Sequence, residues 1–324
     1  MAELFLEAVT LLEPYYPLVD LVNSMCDITE EDLAPFCNPS SAKEIINLQK
    51  LYNLSGKMRS CGNPSFVHSL RSFIWAQALG FSSKTSRIVL AHDLVEDFGK
   101  TYEQLGAMLH KIPEDIREEI KLLSNHYKIV AKEISPYRTL SAMKKKLVTF
   151  YHEDDLVPQT TFTLLGNLPD GIGVASYLTD NAYRLYLEDI VNSGNEEVLC
   201  AKFIDRLDNT LTDLPSKFDV ILKLYDKNLL LLILSKDTVS KTKNVRLQLL
   251  YLLLFERFLD QSNALRRRYD HIAEVRGKFY GKQYSKLSRD LRSQHKELEK
   301  LSPVAEKLYK LKSIPRLLSQ LQRK

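Results

Sequence analysis

The chain has 324 residues, 44% hydrophobic and 27% charged, a composition typical of a globular protein with one large or two ordinary domains. Its net charge of +4 conceals an uneven distribution, because residues 256–324 carry 18 basic and 8 acidic side chains. The four cysteines form no C-x-x-C pair and the longest apolar run covers only residues 249–255, so we exclude a disulfide framework, a thiolate zinc site and a membrane-spanning helix.

The first 44 residues predict an N-terminal helical extension. An amphipathic helix over residues 2–25 is interrupted by Pro14 and Pro17. An acidic linker follows, and Ser40 and Ser41 provide the N-cap signal of a second helix that begins near Ala42. The N-terminus combines acidic residues with early prolines and so lacks the basic start and apolar stretch of a secretory signal, which predicts a cytoplasmic protein.

Helical spacing of apolar residues continues through residues 45–215, which we expect to form the central domain. A helix over residues 65–79 has Gly80 at the position of a C′ glycine, and Ser82 and Ser83 cap the next helix, which runs to Asp97. Further helices are predicted over residues 102–110, 113–127, 140–151, 181–191 and 196–214. Proline and glycine interrupt the pattern over residues 153–179, which predicts a loop or lid insertion.

Residues 216–324 predict an additional C-terminal helical region. Strongly apolar helices over residues 218–234 and 244–259 belong to a core or to an oligomer interface, and residues 263–323 form a basic helical tail. Breaks in this tail are predicted at Gly277, Gly281, Pro303 and Pro315. Because sustained period-2 alternation is missing from the whole chain, the predicted fold class is all-α. The basic tail has two interpretations, a solvated helical face or an RNA-binding stripe with aromatic residues for base stacking.

The most informative segment of the chain is His92-Asp93-Leu94-Val95-Glu96-Asp97. On a helix Glu96 lies one turn from His92 and Asp97 one turn from Asp93, so four polar groups share one edge. Buried carboxylates are rare unless they pair with a cation or bind a metal, and imidazole beside carboxylate is a natural ligand set for a divalent ion. Two ligands do not complete a coordination sphere, so other helices must contribute.

Two other helices carry polar groups that can contribute. His68 lies near the start of an otherwise apolar helix, and Asp205, Asn209 and Thr212 form a polar stripe at i, i+4 and i+7 on another. The remaining histidines show no metal-ligand spacing and are expected at the surface. These are His110, His126, His152, His271 and His295.

Three motifs together resemble a known family. They are Gly56-x-x-Arg59-x-x-Gly62-x-Pro64-x-x-x-His68, His92-Asp93-x-x-Glu96-Asp97 and Lys202-x-x-Asp205-Arg206-Leu207-x-Asn209. Over roughly residues 45–215 the chain resembles the HD superfamily of metal-dependent phosphohydrolases, and within it the hydrolase domain of the RelA/SpoT family and its small stand-alone members. The resemblance implies an HD-domain helical bundle that removes the 3′-pyrophosphate of guanosine tetra- or pentaphosphate.

The resemblance also implies a role for individual residues. His68, His92, Asp93 and Asp205 would hold one divalent ion, typically Mn²⁺. Glu96 and Asp97 would orient and deprotonate the attacking water, while Arg59, Asn209 and Thr212 would bind the nucleotide.

The chain departs from the family pattern at Ser60, Ser69 and Asp208, where the family usually has lysine, proline and histidine. The exchange of a lysine and a histidine for neutral and acidic residues predicts a less positive pocket. It keeps other phosphoesters open as substrates, namely NADPH, a nucleoside monophosphate, a dNTP or a pyrophosphorylated tRNA. A non-catalytic helical scaffold that binds RNA or a protein is the alternative from another class.

Overall fold

The computed structural model describes residues 3–24, 27–56, 58–59, 62–98, 102–136, 142, 174–211 and 218–323. Within these ranges only the backbone is described at several positions, chiefly residues 96–98, 174–177, 218–221, 268–270 and 272–288. About 81% of the structure is helical and the described residues form no β-strand, which confirms the all-α fold class.

The N-terminal extension consists of short helices. They are α1 (Glu3–Thr10), a 3-10 turn (Glu13–Tyr15), α2 (Tyr16–Asn23), α3 (Glu30–Leu33) and α4 (Pro39–Ser55). Pro14 and Pro17 do interrupt the predicted helix, each near the start of the next element, where a missing N–H costs nothing. Helix α4 begins before the predicted Ala42, because Asn38 is its N-cap and accepts the N–H of Ser41 at 2.9 Å.

The central helices follow the predicted order, except that the helix predicted over residues 113–127 ends at Leu123 and an unpredicted helix begins at Tyr127. The central helices are α5 (Ser65–Ala78), α6 (Ser83–Phe98), α7 (Tyr102–Leu109), α8 (Glu114–Leu123) and α9 (Tyr127–Ile134). Gly80 terminates α5 with a φ of 69° in a Schellman motif, with Phe81 N–H bonded to Ala76 C=O and Gly80 N–H to Gln77 C=O, both at 2.9 Å. Ser82 caps α6 by accepting the Thr85 N–H at 3.0 Å, as predicted.

Two further helices, α10 (Val174–Asn192) and α11 (Glu196–Leu211), complete this part of the chain. The prediction that residues 153–179 form a loop is wrong at its end, because α10 already begins at Val174. Residues 153–173 lie outside the described residues, as do all but residue 142 of the helix predicted over residues 140–151.

The C-terminal region is formed by α12 (Phe218–Lys241), α13 (Val245–Glu299), α14 (Ser302–Tyr309) and α15 (Ser313–Leu321). The predicted breaks at Gly277 and Gly281 are wrong, since α13 is helical through both, whereas Pro303 and Pro315 lie in the first turns of α14 and α15. Neighbouring residues of α12 contact both halves of α13: the Tyr225 ring packs on Phe258, with centroids 5.1 Å apart, and Asp226 accepts a hydrogen bond from Gln294 at 2.5 Å. A straight helix would separate Phe258 from Gln294 by about 50 Å, so α13 is sharply bent between these two residues.

One hydrophobic cluster extends from Phe5 to Leu321 and contains residues of all three predicted regions. Helices α5, α6 and α11 pack against one another at its centre, and α13 covers α11. Arg257 and Gln261 of α13 bond the carbonyl of Thr210, near the end of α11, at 3.2 and 2.9 Å. The polar edges of α5, α6 and α11 are thereby held face to face. Among the described helices, none has the length and apolar character needed to cross a membrane.

Candidate metal centre and the adjoining cavity

Both histidines that were predicted as ligands are buried. The hydrogen-bond partner of each Nδ1 atom fixes the orientation of the ring and thereby where Nε2 points. His68 on α5 is 0% exposed, and its Nδ1 lies 2.6 Å from Asp208 Oδ2. His92 on α6 is 3% exposed, and its Nδ1 lies 2.6 Å from the Val89 carbonyl oxygen. Because both acceptors draw a proton to Nδ1, both Nε2 atoms can present a lone pair to the space between the helices.

Two carboxylates converge on the same space. His68 Nε2 lies 3.5 Å from Asp93 Oδ2 and 3.1 Å from Asp205 Oδ1, and His92 Nε2 lies 3.2 Å from Asp93 Oδ1 and 3.6 Å from Asp205 Oδ1. Ligand atoms of His68, His92 and Asp93 all lie within 4.8 Å of one another, so these three residues can hold a metal ion. The structure therefore brings the four predicted ligands together from three helices.

One observation favours a cation at this point over a set of hydrogen bonds. His92 Nε2 is fully buried and makes no hydrogen bond, although two carboxylate oxygens lie near it. A buried polar atom without a partner is rare, and an ion between imidazole and carboxylate would satisfy it. The residues present thus fit a divalent metal ion.

The charges in the cluster shift the pKa values of its members. Burial lowers the pKa of His92, but the nearby Asp93 and Asp205 carboxylates outweigh burial and raise it to about 9. Burial acts to raise the pKa of Asp93, and the charges of His92 and His68 outweigh it and lower that pKa. The pKa of Asp205 also falls well below its usual value, because Lys202 and both histidines outweigh burial. The cluster is therefore built to keep its carboxylates ionised.

Asp208 does not have the effect on the pocket that its sequence position predicts. It is fully buried behind His68 and accepts two hydrogen bonds from Arg71, both at 2.8 Å. Burial raises its pKa, but the Arg71 guanidinium outweighs burial and lowers it to about 2. The expectation that Asp208 makes the pocket less positive is corrected, because its charge faces Arg71 and His68 and it does not line the cavity. Ser60 lies outside the described residues, whereas Ser69 is buried and bonds the Tyr52 hydroxyl at 2.9 Å.

A cavity of about 320 Å³ opens beside the cluster. Asp93 and Asp205 form one end, and the wall includes four cationic side chains, Arg59, Lys202, Arg206 and Lys227. The cations outnumber the carboxylates, so the cavity suits an anionic ligand.

Aromatic rings on α10 line the same cavity. Lys202 Nζ lies 2.7 Å from Asp205 Oδ2 and 5.0 Å from the centroid of the Tyr186 ring. Lys227 Nζ lies 4.7 Å from the centroid of the Tyr183 ring. Two ammonium groups and two tyrosine rings thus line the cavity together, and one of these ammonium groups contacts the ligand cluster directly.

Two of the three predicted nucleotide-binding residues meet at the cavity. Arg59 donates to Asn209 Oδ1 at 2.5 Å and lies 4.0 Å from Asp93 Oδ2, and Asn209 donates to Asp205 Oδ1 at 2.6 Å. Thr212 lies outside the described residues. Glu96 and Asp97 lie in the last turn of α6, but their side chains are not described.

The sequence predicts no role for several residues of the site. Lys202 precedes Asp205 by one helical turn, so an i, i+3 pairing rule would have found it. Arg71 pairs with Asp208 on another helix, and no local spacing marks that pair. Lys227 lies on α12, outside the span of the family resemblance, and no sequence signal marks it.

Two histidines expected at the surface are buried. His126 and His295 are 6% and 9% exposed, whereas His110 and His271 are exposed as predicted and His152 lies outside the described residues.

No protein-family model, curated protein or solved structure matches the chain. The HD-superfamily membership of the chain therefore stays a prediction from its three motifs.

Proposed function

We propose that the chain is a metal-dependent phosphohydrolase of the HD type that removes a 3′-pyrophosphate or phosphate from a nucleotide, with a guanosine tetra- or pentaphosphate alarmone as the first substrate to test. The observation that carries the proposal is the convergence of His68 Nε2, His92 Nε2 and the Asp93 and Asp205 carboxylates at the end of a cationic cavity.

His68, His92, Asp93 and Asp205 would hold the divalent ion, with Mn²⁺ implied by the family resemblance. A divalent ion bound there would neutralise phosphate charge and supply a more acidic water at neutral pH. A phosphate drawn to this end of the cavity would lie close to Lys202 and Arg59, whose charges favour the ester over bulk water. Glu96 and Asp97 are assigned, on the resemblance, to orient the water and accept its proton.

The cavity also supports the assignment of a nucleotide as substrate. Tyr183 and Tyr186 offer aromatic rings, Asn209 offers an amide, and Lys227 offers an ammonium group besides that of Lys202. A phosphate ester with a base or a second anionic group matches this set of contacts. Alarmones, NADPH, nucleoside monophosphates, dNTPs and pyrophosphorylated tRNA all share that chemistry.

The test is turnover of this panel by the purified protein with Mn²⁺, measured as released phosphate or pyrophosphate. His92→Ala should lose activity with every substrate that the wild type turns over, because it removes one Nε2 ligand. His110→Ala is the matched control, since His110 is an exposed histidine outside the site, and it should keep wild-type activity. A folded, Mn²⁺-loaded protein that hydrolyses no member of the panel would contradict the proposal, as would an active His92→Ala variant.

A further inference from the structure

The ion pair between Asp208 and Arg71 contacts His68, and the proposed function assigns this pair no role. Helix α5 presents His68 and, one turn later, Arg71, while α11 presents Asp205 and, one turn later, Asp208. The His68 ring lies between the two carboxylates, with Nδ1 at 2.6 Å from Asp208 Oδ2 and Nε2 at 3.1 Å from Asp205 Oδ1. A carboxylate oxygen therefore lies within hydrogen-bond distance of each nitrogen of one imidazole ring.

A metal ligand must be the neutral form of imidazole, which carries one proton, and the position of that proton decides whether Nε2 can bind a metal. With the proton on Nε2, His68 donates to Asp205 and a proton occupies the metal site. With the proton on Nδ1, His68 donates to Asp208 and Nε2 is left as a ligand.

The geometry favours the second arrangement. Asp205 already accepts from Lys202 at 2.7 Å and from Asn209 at 2.6 Å, and its distance to the ring is the longer one. Arg71 in turn fixes the Asp208 carboxylate by two bonds from one guanidinium, so that Oδ2 faces Nδ1.

We propose that Asp208, held in place by Arg71, is a positioning residue that keeps the His68 proton on Nδ1 and so makes Nε2 available to a divalent cation. The inference deepens the proposed function, because it presupposes the metal site formed by His68, His92, Asp93 and Asp205. Partners of this kind typically change metal affinity by about 10–100-fold when they are removed.

Asp208→Asn is the decisive variant because it keeps the shape of the side chain. Arg71 has only donors, so it retains the amide oxygen and turns the NH₂ group toward His68 Nδ1. The amide then donates to Nδ1 and moves the ring proton to Nε2. We expect Mn²⁺ affinity, measured from the electron paramagnetic resonance signal of free Mn²⁺, to fall by about 10–100-fold. We also expect ¹⁵N shifts of labelled histidine in the metal-free protein to show the proton moving from Nδ1 to Nε2.

The double variant Asp208→Asn/Arg71→Met separates positioning from a purely structural role. Without Arg71 the amide oxygen is free to rotate and accept the Nδ1 proton, so Mn²⁺ affinity should return to the wild-type range. A folded Asp208→Asn variant with wild-type affinity or an unmoved proton overturns the inference, and so does a double variant that stays weak. If Asp208→Asn fails to fold, the Mn²⁺ affinity of the double variant alone decides whether the inference stands. If the wild type binds no Mn²⁺, the proposed function fails, and the proton position in the metal-free variants still decides the positioning role.

Discussion

Manganese is expected to raise the melting temperature of the wild-type protein and to leave that of His92→Ala unchanged. A ligand that binds only the folded state, at 100 times its dissociation constant, stabilises that state by about 2.7 kcal/mol. Unfolding of 324 residues carries an entropy of about 0.7 kcal/mol/K, so the expected shift is about 4 °C. The alanine removes the buried Nε2 atom that has no hydrogen-bond partner, and with it one of the convergent ligands.

The assay is calorimetry of both proteins, first in a chelator and then across a Mn²⁺ titration. In the chelator His92→Ala should melt below the wild type, because the positive charge that offsets Asp93 and Asp205 is gone. His110→Ala should show the full wild-type shift. An equal Mn²⁺ shift in His92→Ala would refute the reasoning, because the ion would then be bound elsewhere.

Three further predictions concern the Glu96 carboxylate, the Lys202 ammonium group and the buried His126. Glu96→Gln should keep the Mn²⁺ shift and slow turnover by about 10²–10⁴-fold, as for loss of a general base, and an unchanged rate would contradict that role. Lys202→Met should lower the free energy of unfolding in denaturant by about 3 kcal/mol, because it removes the ammonium group that pairs with the buried Asp205 carboxylate. Lys84→Met, which breaks a half-exposed pair with Glu119, should cost far less. Burial lowers the pKa of His126 to about 4, so the unfolded chain binds its proton first, and stability should fall by about 3 kcal/mol as the pH drops from 6.5 to 4. His126→Phe should remove that part of the pH dependence, and an unaltered profile would assign the loss to other groups.

The sequence predicted those features of the fold that depend on local chemistry. Gly80 and Ser82 end and begin helices where expected, since a left-handed C′ residue and a side-chain cap act within one turn. Polar groups at helical spacing within apolar segments drew attention to His92 and Asp93, and the family resemblance added His68 and Asp205, which the structure brings next to them.

Features that depend on tertiary packing could not be predicted from the sequence. Gly277 and Gly281 lower helix propensity by only about 1 kcal/mol each, which the packed ends of a long helix override. Helix α11 is buried on all sides from Val198 to Thr210, so its sequence does not show which polar residue faces the cavity and which, like Asp208, faces a neighbour. His126 was assigned to the surface because it shows no metal-ligand spacing, but tertiary packing buries it all the same.

Helix α1 is held in place by a residue that is synthesised much later than α1 itself. The backbone N–H of Phe5 bonds the buried carboxylate of Glu256 at 2.9 Å, and the same carboxylate accepts the hydroxyl of Tyr309. Ribosomes add about 5–20 residues per second, so the synthesis of α1 precedes that of Glu256 by roughly 10–50 s. During that interval α1 can pack only against residues synthesised before Glu256, such as Trp75. We therefore expect the nascent chain to bind chaperones.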